Sequence, residues 1–314
     1  MATYTSATAV GEREDLSDVI YRIDPDETPL VSNAQKETTK GIFHEWQVQE
    51  LAAAVDTNYV NEGADYSYVN PTATTRLGNY HQISVQAASV SNTLDVVDKA
   101  GRDKETAMVK VLKGIEQRRD INKSLYKNEA RSGSDPRKAA KLITWITNGD
   151  KPSDMAFATG DGSDAADLTG TAAALTLAKI DAAMLAAYSD GGSPNMLLLS
   201  PTNKQNYSGL SSGSVATNQI TMTAPKEASI IGSVSLYLSD FGELSVTVDR
   251  QCPNSEVYLI DTDYVCIGSL PGRMFSVSDV ASTGDATKFA IVSEYTLIVK
   301  APKSHAAVIG LNGS

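Results

Sequence analysis

The chain has 314 residues, of which 41% are hydrophobic and 21% are charged, and it carries a formal net charge of −11. This composition is typical of a globular protein and excludes a fibrous or a disordered chain. The longest alanine-rich run is interrupted by Lys179 and Asp181, so no run reaches the ~18 apolar residues of a membrane helix. Because the first residues hold neither a charged leader nor an apolar signal core, we expect a chain that is not exported.

Cysteine and histidine are too scarce to indicate a disulfide framework or a metal centre. The chain has two cysteines, Cys252 and Cys266, and three scattered histidines. Two cysteines without matching Cys/His pairs do not make a zinc site, and they are typical of a chain made in reducing cytoplasm. We therefore expect no metal and no cofactor.

Charge is distributed unevenly along the chain, and this changes the interpretation of its acidic total. Residues 1–92 carry a net charge of −8, residues 93–141 a net charge of +5, and residues 142–314 a net charge of −8. The central basic block is explained either by a solvated helix face or by a surface that faces a polyanion. The composition leaves both interpretations open.

The first 40 residues show no sustained apolar period. One short cluster falls at helical spacing and comprises Leu16, Val19, Ile20 and Ile23. Asp24-Pro25 ends this cluster, because the residue before a proline avoids the helical region. Since the segment cannot form a core of its own, we expect it to be held by the rest of its domain or by a neighbouring subunit.

Residues 41–91 predict two strands around a polar tip. The segments IFHEWQVQEL and NYHQISVQAASVS both alternate between apolar and polar residues, as a half-buried strand does. The stretch between them is rich in Asn, Gly, Thr and Tyr, and it is too long for a tight turn. Such a hairpin has little to pack against in its own chain, so we expect it to project and to meet a partner.

Residues 93–128 carry the strongest helical pattern of the chain. Asn92 is expected to cap the start, Asp95 and Asp98 favour the first turn, and Gly101 is expected to mark a break. A helix of this length would span ~50 Å, which is long for a compact domain. The apolar residues recur at i, i+3, i+4 and i+7 and are Met108, Val111, Leu112 and Ile115.

The second half predicts a small α/β subdomain and then a series of strands. TLAKIDAAMLAAYSDGG predicts a helix that ends at Gly191-Gly192, NMLLLS a buried strand, and Pro201 the start of another helix. From Ala228 to Gly310 the predicted strands are SVSLYL, GELSVTVD, EVYLID, YVCIGSL, RMFSVSDV, KFAIVSEYTLIVK and HAAVIGL.

Three motifs suggest chemistry, and each lacks the context that the chemistry requires. GLSSG, residues 209–213, fits a hydrolase nucleophile elbow with Ser211 as nucleophile and His305 downstream, but a predicted helix precedes it where a strand is needed. GDGSDAAD, residues 160–167, resembles a calcium loop without the glutamate at position 12. Asp261-Thr262-Asp263 is predicted to be a turn. We therefore expect no enzyme.

Seven segments resemble, in chain order, one family of major head proteins of tailed bacteriophages. The order of parts also resembles the tailed-phage major capsid protein, whose shell fold is shared with herpesvirus capsid floors. The segments are REDLSDVIYRIDPDETPLVS (13–32), HEWQ (44–47), TRLGNYHQIS (75–84), DKAGRDKE (98–105), RRDIN (118–122), SDFGELSVTVDR (239–250) and TGDATKFAIVSEYTLIV (283–299).

The resemblance implies an α+β fold in five parts. Only twelve residues precede Arg13, which leaves no room for a fused scaffolding domain, so we expect a separate scaffolding protein. The implied parts are an N-arm at residues 1–40, an E-loop at 41–91, a P domain with the spine helix at 92–142, an A domain at 143–250, and C-terminal strands of the P domain at 251–314.

The resemblance further implies a structural protein that self-assembles into hexamers and pentamers of an icosahedral head around double-stranded DNA. The expected partners are further copies of the chain, a scaffolding protein, a portal and packaged DNA bound through non-specific phosphate contacts. A cement protein is left open, and no membrane is expected. The expected location is the virion, after assembly in the cytoplasm of a bacterial host.

Three sets of residues are expected to carry these contacts. Arg118, Arg119, Lys123 and Lys127 are expected to face DNA. Ser211, Ser212, Gly213 and Ser214, in a loop at residues 205–219, are expected to line the capsomer axis. The N-arm and E-loop contacts between subunits are expected at Arg22, Asp24, Pro25, Trp46, Tyr59, Tyr66, Tyr68 and Arg76, and Trp46 and the tyrosines are expected to be buried only between subunits.

Two alternatives remain open at this point. One is an encapsulin-type cargo shell of the same fold, and the other is a soluble hydrolase that uses Ser211. No lysine lies between Lys40 and Lys99, so we expect no isopeptide cross-link from the E-loop. We also expect that deletion of residues 1–32 leaves a folded chain that fails to close particles.

Overall fold

In a computed structural model, residues 26–213 and 236–313 are described, with only the helical backbone for residues 211–213. The expectations for Arg22, Asp24, Pro25 and Ser214 fall outside these ranges. No helix of the described ranges is long and apolar enough to cross a lipid bilayer. The helices are α1 (Pro29–Asn33), α2 (Asn92–Val96), α3 (Glu105–Leu125), α4 (Leu177–Ser189) and α5 (Pro201–Gly213), with short 3-10 helices at Leu142–Trp145 and Pro302–Ser304.

The strands of the described chain include every strand that the sequence predicts after residue 190. They are β1 (Gln35–Thr38), β2 (Phe43–Val48), β3 (Thr75–Tyr80), β4 (Gln82–Ser91), β5 (Asn148–Asp150), β6 (Met196–Leu199), β7 (Leu236–Ser239), β8 (Gly242–Val248), β9 (Glu256–Ile260), β10 (Val265–Ser269), β11 (Ser276–Val280), β12 (Ala286–Val299) and β13 (Ala306–Ile309).

The helix predicted over residues 93–128 is divided into α2 and α3. The break contains Gly101 with a φ of 76°, as the sequence predicted. Since α3 has 21 residues, it spans about 32 Å rather than ~50 Å. The prediction that Asn92 is a cap is wrong, because Asn92 lies in the first turn of α2 and donates to Asp285 at 2.7 Å. Asp95 instead accepts from the backbone N–H of Thr106, in the first turn of α3, at 2.9 Å.

A five-stranded sheet forms around the long strand β12. β10 and β11 pair with one side of β12, β4 pairs with its other side, and β1 adds in parallel to β10. α3 covers one face, where Gln86 donates to Asp120 and Lys110 lies over the Phe289 ring. On the opposite face, Ile83 remains about half exposed.

A six-stranded sheet follows the order β5-β13-β9-β6-β8-β7 and separates two apolar clusters. On β9, Leu259 packs in the cluster beneath α4, whereas Tyr258 packs in the larger cluster that contains Trp145. This sheet combines strands from residues 148–248 with β9 and β13. The expected A-domain boundary at residue 250 therefore falls within one sheet.

The predicted hairpin is a two-stranded ribbon of β2 and β3, and the chain then enters the five-stranded sheet as β4. Asn79 is fully buried at the base of the ribbon, where its side chain donates to the carbonyl of Leu297 at 2.7 Å. The side-chain oxygen of Asn79, Oδ1, accepts from the backbone N–H of Ala140 at 2.8 Å. These bonds fix the ribbon to the body of the subunit.

Candidate subunit-contact surfaces

The tip of the hairpin, residues 49–74, presents a large unpacked surface. Tyr59, Tyr66 and Tyr68 are 79%, 81% and 91% exposed. The tip holds four carboxylates and no lysine or arginine. An exposed apolar patch of this kind marks an interaction site more often than a free surface.

Trp46 lies on the inner side of the ribbon, contrary to the expectation that only a neighbouring subunit buries it. Its ring centroid is 5.3 Å from that of Trp145, and it packs against the larger core cluster. Alternation along β2 places Trp46 on the face that turns towards the core. Arg76 lies on β3 and forms an exposed ion pair with Glu45 at 3.0 Å, so it too has a partner in its own chain.

The basic residues of α3 differ in what they contact. Arg118 donates to the hydroxyl of Ser32 in α1 at 2.8 Å. Arg119 and Lys123 lie one turn apart and form no ion pair with a described residue, whereas Lys127 pairs with Glu129 at 3.1 Å. Of the expected DNA-facing set, Arg119 and Lys123 are therefore the residues best placed to contact a polyanion.

The side of α3 that faces the core carries a polar network that the sequence analysis missed. The side chain of Asn122 donates to buried Asp249 at 2.7 Å and accepts from the backbone N–H of Val31 at 3.2 Å. Tyr126 also donates to Asp249 at 2.8 Å, and burial raises the pKa of its hydroxyl well above the ordinary value. The network joins α1, α3 and the end of β8, and Asn122 is buried together with Ile121 and Leu125 of the same helix.

α1 belongs to the core of the subunit. Leu30 and Val31 are buried in the larger cluster together with residues of α3 and β10. The structure therefore does not support the expectation that deletion of residues 1–32 leaves the fold intact. A deletion that ends at residue 25 is the appropriate test of the N-arm.

The predicted axis loop is helical where the structure describes it. α5 runs from Pro201 through Ser211 and Ser212 to Gly213, so the expected loop at residues 205–219 is wrong for its first half. The same helix removes the strand-turn-helix context of a nucleophile elbow at Ser211. His305 is fully buried, its Nδ1 accepts from the backbone N–H of Asp261 at 3.1 Å, and burial lowers its pKa to about 3. This geometry offers no accessible catalytic base at His305.

The two acidic motifs are internal turns. Asp161 accepts from the backbone N–H of Ser163 at 2.8 Å and from the hydroxyl of Thr159 at 3.0 Å. Asp261 accepts from the backbone N–H of Asp263 at 3.0 Å. Within the described ranges, no group of three or more His, Cys, Asp or Glu side chains is placed to hold a metal ion.

Comparison with solved structures identifies the class of fold. The chain resembles the capsid asymmetric unit of Cyanophage A-1(L), with a TM-score of 0.67 and 14% identity over 98% of both chains. It resembles the holo-SrpI encapsulin complex of Synechococcus elongatus PCC 7942 less well, with a TM-score of 0.58 and 10% identity over 100% of this chain and 98% of the other. The fold is that of the tailed-phage capsid subunit.

Sequence comparison identifies the family. The model of the SU10 major capsid protein family matches residues 2–312, so the chain belongs to this family. The major capsid protein of Escherichia phage Phieco32 is 29% identical over 122 residues, which are 39% of this chain and 35% of that relative. The expectation of a phage capsid protein is thereby confirmed.

Proposed function

We propose that the chain is the shell subunit of a tailed-phage head and that copies of it assemble into hexamers and pentamers of an icosahedral capsid. The exposed tyrosine-bearing hairpin tip carries this proposal, because it is a large apolar surface that no other part of the described chain covers. Membership of the SU10 major capsid protein family supports it. Such a protein acts by contact and not by catalysis.

The proposed parts follow the resemblance. Residues 1–40 serve as the N-arm, 41–91 as the E-loop, 92–142 and 251–314 as the P domain, and 143–250 as most of the A domain. Tyr59, Tyr66 and Tyr68 contact a neighbouring subunit, as do Arg22, Asp24 and Pro25 of the arm. The area buried between many copies offsets the loss of conformational entropy when the tip becomes ordered.

α3 is proposed to face the packaged double-stranded DNA. Arg119 and Lys123 make non-specific phosphate contacts, with Arg118 and Lys127 at the edges of the same basic surface. The end of α5 at Ser211–Gly213, with the residues that follow, lines the capsomer axis. The remaining proposed partners are a separate scaffolding protein and a portal, and a cement protein is an optional addition on the outside. Assembly takes place in the cytoplasm of the bacterial host.

An encapsulin-type cargo shell is the second candidate, because an encapsulin has the same fold over the whole chain. The lower TM-score and the family match both favour the phage head. The two candidates differ in their contents, since a phage head encloses double-stranded DNA and a cargo shell encloses protein.

The test is to purify particles that contain this chain, to image them by negative stain, and to identify their contents. We expect closed shells that hold nuclease-resistant double-stranded DNA. Closed shells that hold a protein cargo and no DNA would support the encapsulin candidate. A small soluble species at every concentration tested would contradict both.

We also propose that the shell is not covalently cross-linked. The E-loop offers no lysine amine, and Arg76 cannot replace one because its guanidinium stays protonated. Cys252 and Cys266 are both buried inside the subunit. Particles boiled in detergent should run as one band near 33.3 kDa, and a ladder that survives reductant would contradict the proposal.

A further inference from the structure

A shallow groove of about 340 Å³ lies between α3 and the five-stranded sheet. Val111, at the groove, is 63% exposed, and no residue of the described ranges covers it. Lys110 and Arg118 lie at the two ends, and the apolar lining consists of Val111, Ile115, Phe275, Val277 and Ile291. Lys110 pairs with Asp279 at 3.4 Å, so one end of this apolar surface carries an ion pair and the other end carries the Arg118 guanidinium.

α1 covers the continuation of the same face of α3. The groove residues of α3 recur at helical spacing from Lys110 to Arg118, and Asn122 lies one turn further on. α1 contacts Asn122 through the backbone of Val31, and it contacts Arg118 through the hydroxyl of Ser32. α1 thus covers this face from Arg118 onwards, and the groove is the part that it leaves open.

The position of α1 also brings the preceding residues of the chain to the groove. The hydroxyl of Ser32 that accepts from Arg118 itself donates to the carbonyl of Thr28 at 2.7 Å, so Thr28 lies close to the guanidinium. The four residues at 24–27 can reach ~14 Å when extended. The groove from Lys110 to Arg118 spans eight residues of α3, or ~12 Å. A segment that ends at residue 23 is therefore within reach of the whole groove.

The sequence of that segment matches the groove in chemistry and in length. Leu16, Val19, Ile20 and Ile23 fall at helical spacing, and a helix over residues 14–23 would be ~15 Å long. Residues 12–27 hold seven acidic and two basic side chains, which complements the Arg118 guanidinium at one end of the groove. A short tether raises the effective concentration of such a segment to the millimolar range.

We propose that residues 14–23 dock as an amphipathic helix in the α3 groove of their own subunit. Their apolar side chains cover Val111 and Ile115, and their carboxylates lie near Lys110 and Arg118. Gly114 lines the groove, and an added Cβ there meets nothing within 4 Å, so the groove has room beside α3 for the docked segment. Arg22 falls outside the apolar spacing and stays available to a neighbouring subunit.

Disulfide trapping in the full-length chain tests whether residues 14–23 dock in the groove and whether they belong to the same subunit as the groove. Ile20→Cys combined with Val111→Cys should form an intrachain disulfide in dispersed subunits under mild oxidation, seen as a faster monomer band without reductant. The native thiols of Cys252 and Cys266 are buried and do not compete. The control pairs Ile20→Cys with Val96→Cys, because Val96 is exposed and does not line the groove.

Either of two results would overturn the proposal. A disulfide-linked dimer would show that the groove binds the segment of a second copy. Trapping no faster than in the control would show that the groove does not bind the segment. Neither result depends on shell formation, which is scored separately by negative stain, so failure of this docking and failure of the proposed function are distinguishable.

Hydrogen exchange gives an independent measurement on the full-length protein. The amides of residues 14–23 should be protected, and Gly114→Trp, which fills the groove, should reduce that protection at least tenfold. Gly114→Ala is the matched control and should retain it. An added Cβ at Gly114 meets nothing within 4 Å, so Gly114→Ala should fold, and circular dichroism shows whether Gly114→Trp is folded. Equal protection in the two variants would contradict docking at this groove.

Discussion

The two large sheets of the subunit differ in how much of their surface the subunit itself covers. In the six-stranded sheet, β6, β9 and β13 are buried along their whole length, with one apolar cluster on each face. In the five-stranded sheet, α3 covers one face, while Ile83 and Val85 on β4 remain about half exposed on the other. The hairpin tip extends from the end of β2 with even less cover.

This difference separates folding from assembly. The inner strands β6, β9 and β13 have their hydrophobic partners within one chain, so this part of the sheet can be stable in a single subunit. The surfaces around the five-stranded sheet leave apolar area in water until another segment or another copy covers it. Substitutions of buried residues in the first region should therefore change subunit stability, and substitutions of exposed apolar side chains in the second should change assembly.

The largest expected effect is on assembly, at the hairpin tip. Tyr66→Ser combined with Tyr68→Ser should abolish closed particles, because both side chains are more than 80% exposed among the residues that the structure describes. The free energy of unfolding of the subunit should change by less than about 0.5 kcal/mol, as for other exposed positions. Negative stain and chemical denaturation measure the two quantities. As a control, Tyr264→Ser alters a partly exposed tyrosine outside the tip and should leave assembly intact.

The next effect is on stability, at the edge of the six-stranded sheet. Gly149 on β5 has a φ of 140°, and an added Cβ would lie 1.8 Å from the carbonyl oxygen of Ala307 on β13. Gly149→Ala should therefore lower the free energy of unfolding by about 3 kcal/mol or more, since backbone strain and a clash with backbone act together. An unchanged denaturation midpoint would contradict the pairing of β5 with β13.

A buried lysine should make the free energy of unfolding depend on pH, and the size of this effect is similar to that expected at Gly149. Lys141 is 1% exposed, and burial lowers its pKa to about 8 from 10.5. Between these values the unfolded chain binds more protons than the folded chain, so the free energy of unfolding should rise with pH. Lys141→Met should abolish that rise and stabilise the subunit at pH 7 by up to roughly 3 kcal/mol. The loss of the hydrogen bond to Gln82 reduces this gain.

Denaturation of both proteins between pH 7 and 10.5 measures the effect. The matched control is Lys138→Met, because Lys138 is about half exposed and its ion pair with Glu129 lies near the surface. The control should keep the pH dependence of the parent chain. Parallel curves for the parent and Lys141→Met would show that Lys141 does not titrate as a buried group.

Sequence patterns predicted the elements well because the signals for them are local. The alternation in KFAIVSEYTLIVK predicts β12, and Gly101 predicts the break between α2 and α3. Contacts between distant segments have no such signal, and nothing in the sequence around Trp46 indicates that it packs against Trp145, about a hundred residues away. The hydrogen bond between Asn122 and Asp249 joins residues 127 positions apart, so no local pattern indicates it.

A smaller effect is expected on DNA binding by α3. Arg119 and Lys123 form no ion pair with a described residue, so Arg119→Gln combined with Lys123→Gln removes two free cations. Binding of the dispersed subunit to duplex DNA should become weaker at low salt, and the slope of log K against log salt should fall by about 2. Lys300→Gln is the control, because Lys300 pairs with Glu37 at 2.9 Å away from α3. An unchanged slope in the α3 variant would contradict a DNA-facing role.

The smallest expected effect is on the free energy of unfolding, when Gly114 at the α3 groove is replaced by alanine. Gly114 lies inside α3, where glycine costs about 0.5–1 kcal/mol relative to alanine because it loses more backbone entropy on folding. An added Cβ meets nothing within 4 Å, so Gly114→Ala should raise the free energy of unfolding by that amount. Replacement of glycine by alanine should thus lower the free energy of unfolding at Gly149 and raise it at Gly114. A lower free energy of unfolding for Gly114→Ala would contradict this expectation. Closed particles should still form.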